Sequence, residues 1–305
     1  ESRLEEKFQR KHCITFANCT DALVGACVAL QLPENARVAV SNYTFTASAH
    51  AIARAGYRPV PVDVTQNCTI NARQIPTVDA VIAVDLFGNM CDWHQLELLN
   101  VPTINDAAQS LESSDGSRHS AKMGLVSCIS FSPTKTISSW GSGGALLTDD
   151  DEIAVLAKKI RLHGKTKNSD VSIHPGLNSM LSSFEAACIW VGLDHSEEWQ
   201  KRREQISKWL ISQSRFDTVL DKDLYKNTYH KLVFTSRDRA ETQEYLKKMG
   251  VCTAIHYSLT INDEKLYTTD SHFPKSDEFK NTCFTVPNQQ TLSDEEVEQI
   301  EKALA

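Results

Sequence analysis

A lysine near the middle of the chain has the surroundings of a reactive amine. Lys135 follows the predicted strand Ser127–Phe131 and precedes the glycine-rich turn Gly141–Gly144, which leads into another predicted strand. The glycines let the backbone pass close to a bound group, and an amine enclosed by protein has a lowered pKa and acts as a nucleophile. The turn is too short for a P-loop and no Gly-Lys-Ser/Thr follows it, which excludes an NTPase site. We therefore predict that Lys135 is catalytic.

Two further polar residues lie at the ends of predicted elements. Asp106 follows the apolar segment Thr103–Asn105, so its carboxylate either points into the crevice at the edge of a sheet or caps the segment that follows. Thr20 stands where a helix is predicted to begin, and the free N–H groups of a first helical turn, together with its hydroxyl, are suited to a phosphate. The alternative for Thr20 is an ordinary N-cap, which this segment taken alone favours.

Short β-branched segments alternate with helical patterns over the first two-thirds of the chain. The predicted strands are Ala36–Ser41, Pro59–Val64, Ala80–Asp85, Thr103–Asn105, Ser127–Phe131 and Ala145–Thr148, and the predicted helices are Phe45–Gly56, Asp92–Leu99 and Asp150–His163. This alternation predicts an α/β fold with a mostly parallel sheet covered by helices on both faces. Ligands of such sheets bind beyond the carboxyl ends of the strands, where Lys135 and Asp106 are placed.

The pattern changes after Leu181. The predicted elements there are helices at Phe184–Leu193 and Glu197–Gln213, a strand at Lys231–Thr235, a helix at Arg239–Gly250, an extended segment at Cys252–His256, an irregular polar stretch at Thr260–Glu278, and a helix at Ser293–Leu304. Ser293 and Glu296 form a capping-box pattern at the start of the last helix. We predict a large domain over residues 1–205 and a smaller C-terminal α+β domain over residues 206–305.

The composition is that of a globular protein. The 305 residues are 41% hydrophobic and 23% charged, and 32 Lys and Arg against 39 Asp and Glu give a net charge of −7. Binding to nucleic acid or to an anionic membrane surface requires a basic footprint, so we expect neither partner. The longest strongly apolar stretch, Ala22–Leu30, is much shorter than the roughly 20 residues of a membrane-spanning helix. The first residues lack a signal-peptide pattern, so we expect none.

The cysteines indicate a reducing compartment. The chain has nine, with no C-x-x-C pair and no metal-ligand spacing. They stand among apolar neighbours, as Cys27 and Cys188 do, and free buried cysteine behaves as a small hydrophobe. We therefore predict reduced cysteines, no metal site and a cytoplasmic location.

Several segments, taken in order, resemble the nucleotide-sugar aminotransferases of the DegT/StrS family, which use pyridoxal 5′-phosphate (PLP) on the fold-type-I aminotransferase scaffold. The resemblance runs from about Leu4 to Leu304. It rests on Thr20-Asp21-Ala22-Leu23, Tyr43-Thr44-Phe45, Asp85-Leu86-Phe87-Gly88, Asp106-Ala107-Ala108-Gln109, Ser130-Phe131, Lys135, Gly141-Ser142-Gly143-Gly144, His163-Gly164, Gly176-Leu177-Asn178 and His256-Tyr257. Each segment is weak alone, and their shared order and spacing make chance similarity improbable.

The resemblance implies a role for each residue that would contact the PLP ring. Lys135 would bind PLP covalently and later move the proton of the amino donor. Asp106 would pair with the pyridinium nitrogen and keep it protonated, so that the ring acts as an electron sink. Gln109 would contact the phenolic oxygen. Phe45 would stack on the ring face, with a core aromatic as its alternative.

The resemblance also implies the remaining contacts. The Cys19 N–H, Thr20 and Ser130 would hold the PLP phosphate. Asn178 would reach the phosphate from the neighbouring subunit of a homodimer with a shared active site. His256 and Tyr257 would lie near the sugar or the amino donor.

The implied reaction is transfer of an amino group from L-glutamate to an NDP-linked keto-deoxysugar, in the biosynthesis of aminosugars for glycans or natural products. Sugar dehydration is disfavoured, because dehydratases of the family replace the lysine with histidine. An aminocyclitol ketone as acceptor and a non-catalytic homologue with a binding or regulatory role remain as alternatives. The chain departs from the family with Cys19 in place of a glycine, Met180 in place of an arginine, and neither proline nor a second histidine after Tyr257. These departures alter the substrate walls, whereas the residues for PLP are retained.

Overall fold

The computed structural model of the chain describes residues 1–165, 171–172 and 175–305. The helices in this part of the chain are α1 Ser2–Phe8, α2 Cys19–Ala29, α3 Ala47–Arg54, α4 Trp93–Glu97, α5 Asp151–Arg161, α6 Ser183–Gln213, α7 Arg239–Lys248, α8 Pro274–Thr282 and α9 Asp294–Leu304. The strands are β1 His12–Phe16, β2 Arg37–Ser41, β3 Arg58–Val62, β4 Ala80–Val84, β5 Thr103–Asp106, β6 Val126–Ser130, β7 Gly144–Thr148, β8 Asp217–Thr218, β9 Leu232–Thr235 and β10 Cys283–Val286.

A seven-stranded sheet with the order β1-β7-β6-β5-β4-β2-β3 forms the centre of the molecule. Strands β2 to β6 pair in parallel, and β7 runs antiparallel to both β6 and β1. Every residue of β4, β5, β6 and β7 is buried, as expected where helices cover both faces of a sheet. The predicted mostly parallel α/β sheet is therefore confirmed.

Helix α2 lies deep in this core and presents its first turn to the sheet edge. Its residues are mostly small and apolar, and the helix contacts α3, α5, β6 and β7. Gly25 allows the close approach, because a Cβ there would lie 2.8 Å from the Phe16 ring. The first turn, with Cys19 and Thr20, is thereby held beside the carboxyl ends of β5 and β6.

A three-stranded antiparallel sheet, in the order β10-β9-β8, forms the C-terminal part. Helix α6 runs unbroken over 31 residues, so the prediction of two helices separated after Leu193 was wrong. The polar residues Asp194 to Ser196 include no Pro or Gly and do not interrupt the hydrogen bonds of the helix. The division into domains at residues 205 and 206 falls within α6 and stays a prediction.

Other differences arise where tertiary contacts override a weak local pattern. Helix α8 lies in the stretch predicted to be irregular, and the Asp63 carboxylate accepts hydrogen bonds from the Lys275 and Ser276 backbone N–H groups at its start. The predicted extended segment Cys252–His256 forms no strand, and only Ala254 pairs, in an isolated bridge to Thr285. Strands β1, β8 and β10 and helix α1 were not predicted. The capping box of α9 is confirmed. Over the described ranges, none of the helices has the length and apolar character needed to cross a bilayer.

Candidate active site

A cavity of about 320 Å³ lies at the carboxyl ends of the central strands. Strands β5 and β6 end there in Asp106 and Ser130, and the turn after β6 brings Lys135 to the same wall. All the predicted site residues except Asn178 line it, namely Cys19, Thr20, Phe45, Asp106, Gln109, Ser130, Lys135, His256 and Tyr257. Side chains that are far apart in the sequence therefore converge as predicted.

The amine of Lys135 is in an environment that favours its neutral form. Lys135 is the last residue of a tight turn, which is closed by a hydrogen bond of 2.9 Å from its backbone N–H to the Ser132 carbonyl. Burial lowers the pKa of the Lys135 amine, and the nearby charge of Lys231 lowers it further, whereas Cys19 and Asp106 oppose the shift. A neutral amine is the nucleophilic form, so the surroundings of Lys135 suit attack on a carbonyl.

Asp106 is a buried carboxylate held by two donors. The Ser48 hydroxyl donates to Oδ2 at 2.7 Å and the Ala108 backbone N–H donates to Oδ1 at 3.2 Å. Burial raises the pKa of Asp106, and these hydrogen bonds and the charge of Lys135 oppose the rise. Asp106 fills both of the roles predicted for it as alternatives, since its carboxylate caps the following turn and also faces the cavity.

The first turn of α2 forms a cradle for an anion. Asn18 is the N-cap and accepts from the Asp21 N–H at 2.8 Å, so the alternative that Thr20 is the N-cap was wrong. The Thr20 hydroxyl has no hydrogen-bond partner among the described residues and lines the cavity. Gly144 packs against this turn so closely that a Cβ there would overlap the Cys19 backbone nitrogen. Free helical N–H groups and a hydroxyl that faces the cavity together suit a phosphate.

Cys19 and Ser130 complete this cradle. Burial raises the pKa of the Cys19 thiol well above its ordinary value, so the side chain stays neutral beside the cradle. The Ser130 hydroxyl, at the last residue of β6, accepts from the Ser132 N–H at 3.4 Å and keeps its own hydrogen for another acceptor. The Cys19 and Ser130 side chains therefore add no negative charge to the cradle.

The opposite wall combines aromatic and amide groups. Phe45 is 54% exposed over the cavity, with its ring centroid 5.8 Å from that of Tyr257, so the alternative of a core aromatic was wrong. Gln109 accepts from the Phe87 N–H at 3.0 Å and donates to the Tyr257 hydroxyl at 2.9 Å. Burial lowers the pKa of His256 to about 4, assisted by Lys231 and Lys135, so its imidazole is neutral at pH 7.

Sequence reasoning missed three residues of the site. Ser48, on α3, holds Asp106, and no local signal distinguishes it from other serines of a small-residue helix. His230 and Lys231 line the cavity just before β9. The signal for them is a basic pair at the start of a predicted strand, whereas ligands of parallel sheets are expected at the carboxyl ends of the strands.

Asn178 lies outside the cavity. Its side chain is exposed, and its backbone pairs with Leu162 in an isolated bridge. Its predicted role across a subunit interface stays a prediction.

The donor set fits a flat aromatic cofactor that carries an aldehyde and a phosphate. A lysine amine, a buried carboxylate, an exposed aromatic face and a cradle of N–H and hydroxyl donors line one cavity. The Thr20 hydroxyl and the Tyr257 hydroxyl hydrogen have no acceptor among the described residues, which leaves both for a ligand.

Comparison with known proteins identifies the family. The family model of the DegT/DnrJ/EryC1/StrS aminotransferases matches residues 1–305. The chain belongs to this family. It is 31% identical over 277 residues, 87% of the chain and 77% of the relative, to the UDP-2-acetamido-2-deoxy-3-oxo-D-glucuronate aminotransferase of Pseudomonas aeruginosa.

Two further proteins extend the comparison. The chain is 27% identical over 311 residues, 96% of the chain and 85% of the relative, to the dTDP-3-amino-3,6-dideoxy-alpha-D-galactopyranose transaminase of Aneurinibacillus thermoaerophilus. The crystal structure of NtdA from Bacillus subtilis with bound cofactor PMP superposes with a TM-score of 0.91 at 21% identity, over 100% of the chain and 75% of NtdA. At this identity the superposition establishes the fold.

Proposed function

We propose that this DegT-family protein is a PLP-dependent aminotransferase that moves an amino group from L-glutamate to the ketone of a nucleotide-linked keto-deoxysugar. The observation that supports it most directly is the meeting of Lys135 and Asp106 in one cavity beside the cradle of α2. Without Lys135 the cavity would lack the amine that attacks a carbonyl, and without Asp106 it would lack the carboxylate that keeps the pyridine nitrogen protonated. Both family relatives described above are named as aminotransferases of nucleotide sugars.

PLP, when bound, supplies an electron sink that stabilises negative charge on the carbon next to the amino group. Asp106 would hold a proton on the pyridine nitrogen, and Ser48 orients its carboxylate. Lys135 would hold the cofactor and then move the proton at the donor's α-carbon, which its lowered pKa suits. Thr20, Ser130 and the N–H of Cys19 would bind the phosphate.

The walls around these groups would orient the cofactor and the substrate. Phe45 would cover one face of the cofactor ring. Gln109 donates one amide N–H to the Tyr257 hydroxyl and would contact the cofactor's phenolic oxygen through its other amide N–H. Tyr257 would lie near the sugar or the amino donor. His256 is neutral at pH 7 and would contact the sugar or the donor through hydrogen bonds.

A homodimer is part of the proposal. Large apolar side chains are exposed beside the glycine-rich turn and on the first half of α6, with Trp140 84%, Phe184 64% and Trp190 58% exposed. Exposed apolar patches of this kind are typical of subunit interfaces. Asn178 is exposed near the start of α6, which suits a role in the active site of the partner subunit.

The proposal includes a cytoplasmic location. All nine cysteines are unpaired, and free thiols are typical of proteins from reducing compartments.

Absorbance tests the cofactor and the donor together. Purified protein incubated with PLP should show a visible band of the Lys-bound cofactor, and L-glutamate should bleach it. Lys135→Ala should abolish the band and turnover, while Lys222→Ala, at an exposed lysine outside the cavity, should preserve both. A band and turnover that survive in Lys135→Ala would rule out the assignment.

The acceptor and the shared site need separate measurements. Mass spectrometry of NDP-keto-sugars incubated with protein, PLP and glutamate should detect the gain of an amino group. Light scattering should give the mass of a dimer. If Asn178 contributes to the partner's active site, a mixture of the Asn178→Ala and Lys135→Ala proteins should regain activity, because their heterodimers have one intact site. An inactive mixture would contradict a shared site.

A further inference from the structure

His256 and Tyr257 reach the cavity on a segment, residues 255–260, that belongs to no helix or strand. Regular backbone pairing therefore does not hold these two side chains in place. Hydrogen bonds join this segment and the turn after it to three residues around the central sheet, namely Asn42, Tyr43 and Gln109. The positions of His256 and Tyr257 in the cavity therefore depend on residues far away in the sequence.

The Tyr43 hydroxyl contacts both polar groups of the peptide between His256 and Tyr257. It donates to the His256 carbonyl at 2.6 Å and accepts from the Tyr257 backbone N–H at 2.9 Å. Tyr43 is fully buried, and burial raises the pKa of its hydroxyl well above the ordinary value, so it keeps the hydrogen that it donates. A side chain that follows β2 thereby holds a backbone group 213 positions away.

The Tyr43 ring packs against the aromatic side chains beside this contact. Its centroid lies 6.4 Å from that of Tyr257 and 6.5 Å from that of Phe87, and both pairs meet edge to face. The Phe87 N–H donates to Gln109, which donates in turn to the Tyr257 hydroxyl. The four residues form one connected cluster, in which Tyr43 holds the Tyr257 backbone and Gln109 holds its side chain.

Asn42 holds the far end of the same segment. Its backbone oxygen accepts from the Ile261 N–H and its side-chain oxygen from the Asn262 N–H, both at 2.8 Å. Residues 42 and 43 directly follow β2, so both contacts start from the central sheet. Phe45 lies two residues further on and lines the cavity. The loop after β2 therefore carries one aromatic wall of the cavity and holds the backbone of the other, Tyr257.

We propose that Tyr43 is a positioning residue of the active site. Its hydroxyl holds the Tyr257 backbone so that the Tyr257 side chain meets Gln109 at the cofactor wall. The inference rests on the proposed function, in which Gln109 contacts the phenolic oxygen of PLP. Polar groups shielded from water are costly to leave unpaired. Without the Tyr43 hydroxyl the segment therefore moves to pair its peptide groups elsewhere, and the Tyr257 hydroxyl leaves Gln109.

Hydrogen exchange of the protein freed of PLP tests the backbone contact, with mass spectrometry of short peptic fragments as the measurement. The Tyr257 amide should be protected in the wild type, because its N–H donates to a buried hydroxyl. Tyr43→Phe keeps the ring and should raise the exchange rate of this amide by about tenfold or more. Tyr57→Phe is the matched control, because the Tyr57 hydroxyl accepts from the Leu32 N–H at 3.0 Å outside the cavity lining. It should speed exchange at Leu32 and leave the Tyr257 amide unchanged.

Bound PLP provides the functional measurement. Tyr43→Phe should shift the absorbance maximum of bound PLP in the same direction as Tyr257→Phe and raise the PLP dissociation constant by about threefold or more. Tyr257→Phe has already lost the hydroxyl that Gln109 contacts. Adding Tyr43→Phe to it should therefore change the constant by less than about twofold, whereas a loss of packing unrelated to Tyr257 would add to its effect.

The outcomes are distinguishable. An unprotected Tyr257 amide in the wild type overturns the inference, and this measurement decides alone if Tyr43→Phe fails to fold. Exchange at Tyr257 that is unchanged in Tyr43→Phe, PLP binding and absorbance that are unchanged, or effects that add in the double variant would each overturn it as well. Absence of a PLP band in the wild type contradicts the proposed function, while exchange without PLP still tests whether Tyr43 holds the segment.

Discussion

The Gln109 side chain and the Tyr257 hydroxyl are joined by a hydrogen bond of 2.9 Å across 148 positions of sequence. Gln109 follows β5 of the central sheet, whereas Tyr257 belongs to the C-terminal part of the chain. The other end of the Gln109 amide accepts from the Phe87 N–H, so the amide has one orientation. The contact therefore joins the C-terminal part of the chain to the cavity wall that follows β5.

Tyr257→Phe tests this contact. The ring keeps its packing against Phe45 while the buried Gln109 N–H loses its acceptor, at a cost of about 1–3 kcal/mol. We expect weaker PLP retention and a shifted absorbance maximum of the bound cofactor. Tyr267→Phe is the control, because the Tyr267 hydroxyl makes no hydrogen bond to another described residue. Identical spectra and PLP affinities for wild type and Tyr257→Phe would contradict the role.

Ser48→Ala should weaken cofactor binding through Asp106. The Ser48 hydroxyl donates to the carboxylate at 2.7 Å, and a hydrogen bond to a charged group contributes about 1.5–3 kcal/mol. Its loss raises the pKa of Asp106, so we expect at least about a tenfold rise in the PLP dissociation constant, measured by equilibrium dialysis.

Ser127→Ala is the control for Ser48→Ala. Ser127 is also buried, and its hydroxyl has no partner within the described residues, so its removal should leave PLP affinity unchanged. Equal effects of the two substitutions would show that Ser48 acts through packing alone.

The capture of PLP by Lys135 should depend on pH with a midpoint below 10.5, the ordinary lysine pKa, because burial lowers the pKa of this amine. The neutral amine reacts, so the rate should rise with pH and level off above the midpoint. Lys231→Gln removes a like charge that lowers this pKa, and the midpoint should move up. The measurement is the capture rate of protein freed of PLP, with Lys135→Ala subtracted as background; a midpoint at or above 10.5 would refute the expectation.

The titration of Asp85 should lower the free energy of unfolding as the pH rises. Burial raises its pKa from 3.8 to about 6, so the folded state binds more protons than the unfolded state between these values. The free energy of unfolding therefore declines through this window, by about 3 kcal/mol from this residue.

Asp85→Asn removes that titration. The difference in unfolding free energy, variant minus wild type, should increase from about pH 4 to about pH 6 and then level off. Denaturant unfolding across this range provides the measurement, and a difference that does not vary with pH would contradict it. The part of this free-energy difference that does not vary with pH measures the hydrogen bonds that Asp85 accepts from Ser120 and the Cys91 N–H.

Local patterns were sufficient for much of the fold. The predicted strands of the central sheet match β2 to β7 to within a residue or two, because buried parallel strands read as continuous apolar runs. Helix α8 escaped prediction because the Asp63 carboxylate stabilises its start from 212 and 213 positions away. The continuity of α6 was not predicted for a related reason, because packing along a long helix outweighs a short polar segment in its sequence.

The amino-acid sequence by itself determined which groups can react: an amine after β6, a carboxylate at the end of β5 and a hydroxyl in the first turn of α2. Residue type and position at the ends of elements settle this, because each element forms from its own local pattern. Only the tertiary structure decided which groups orient them, as Ser48 orients Asp106, and which charges lie near them, as Lys231 lies near Lys135. Such contacts join distant segments, and their geometry depends on how the whole core packs.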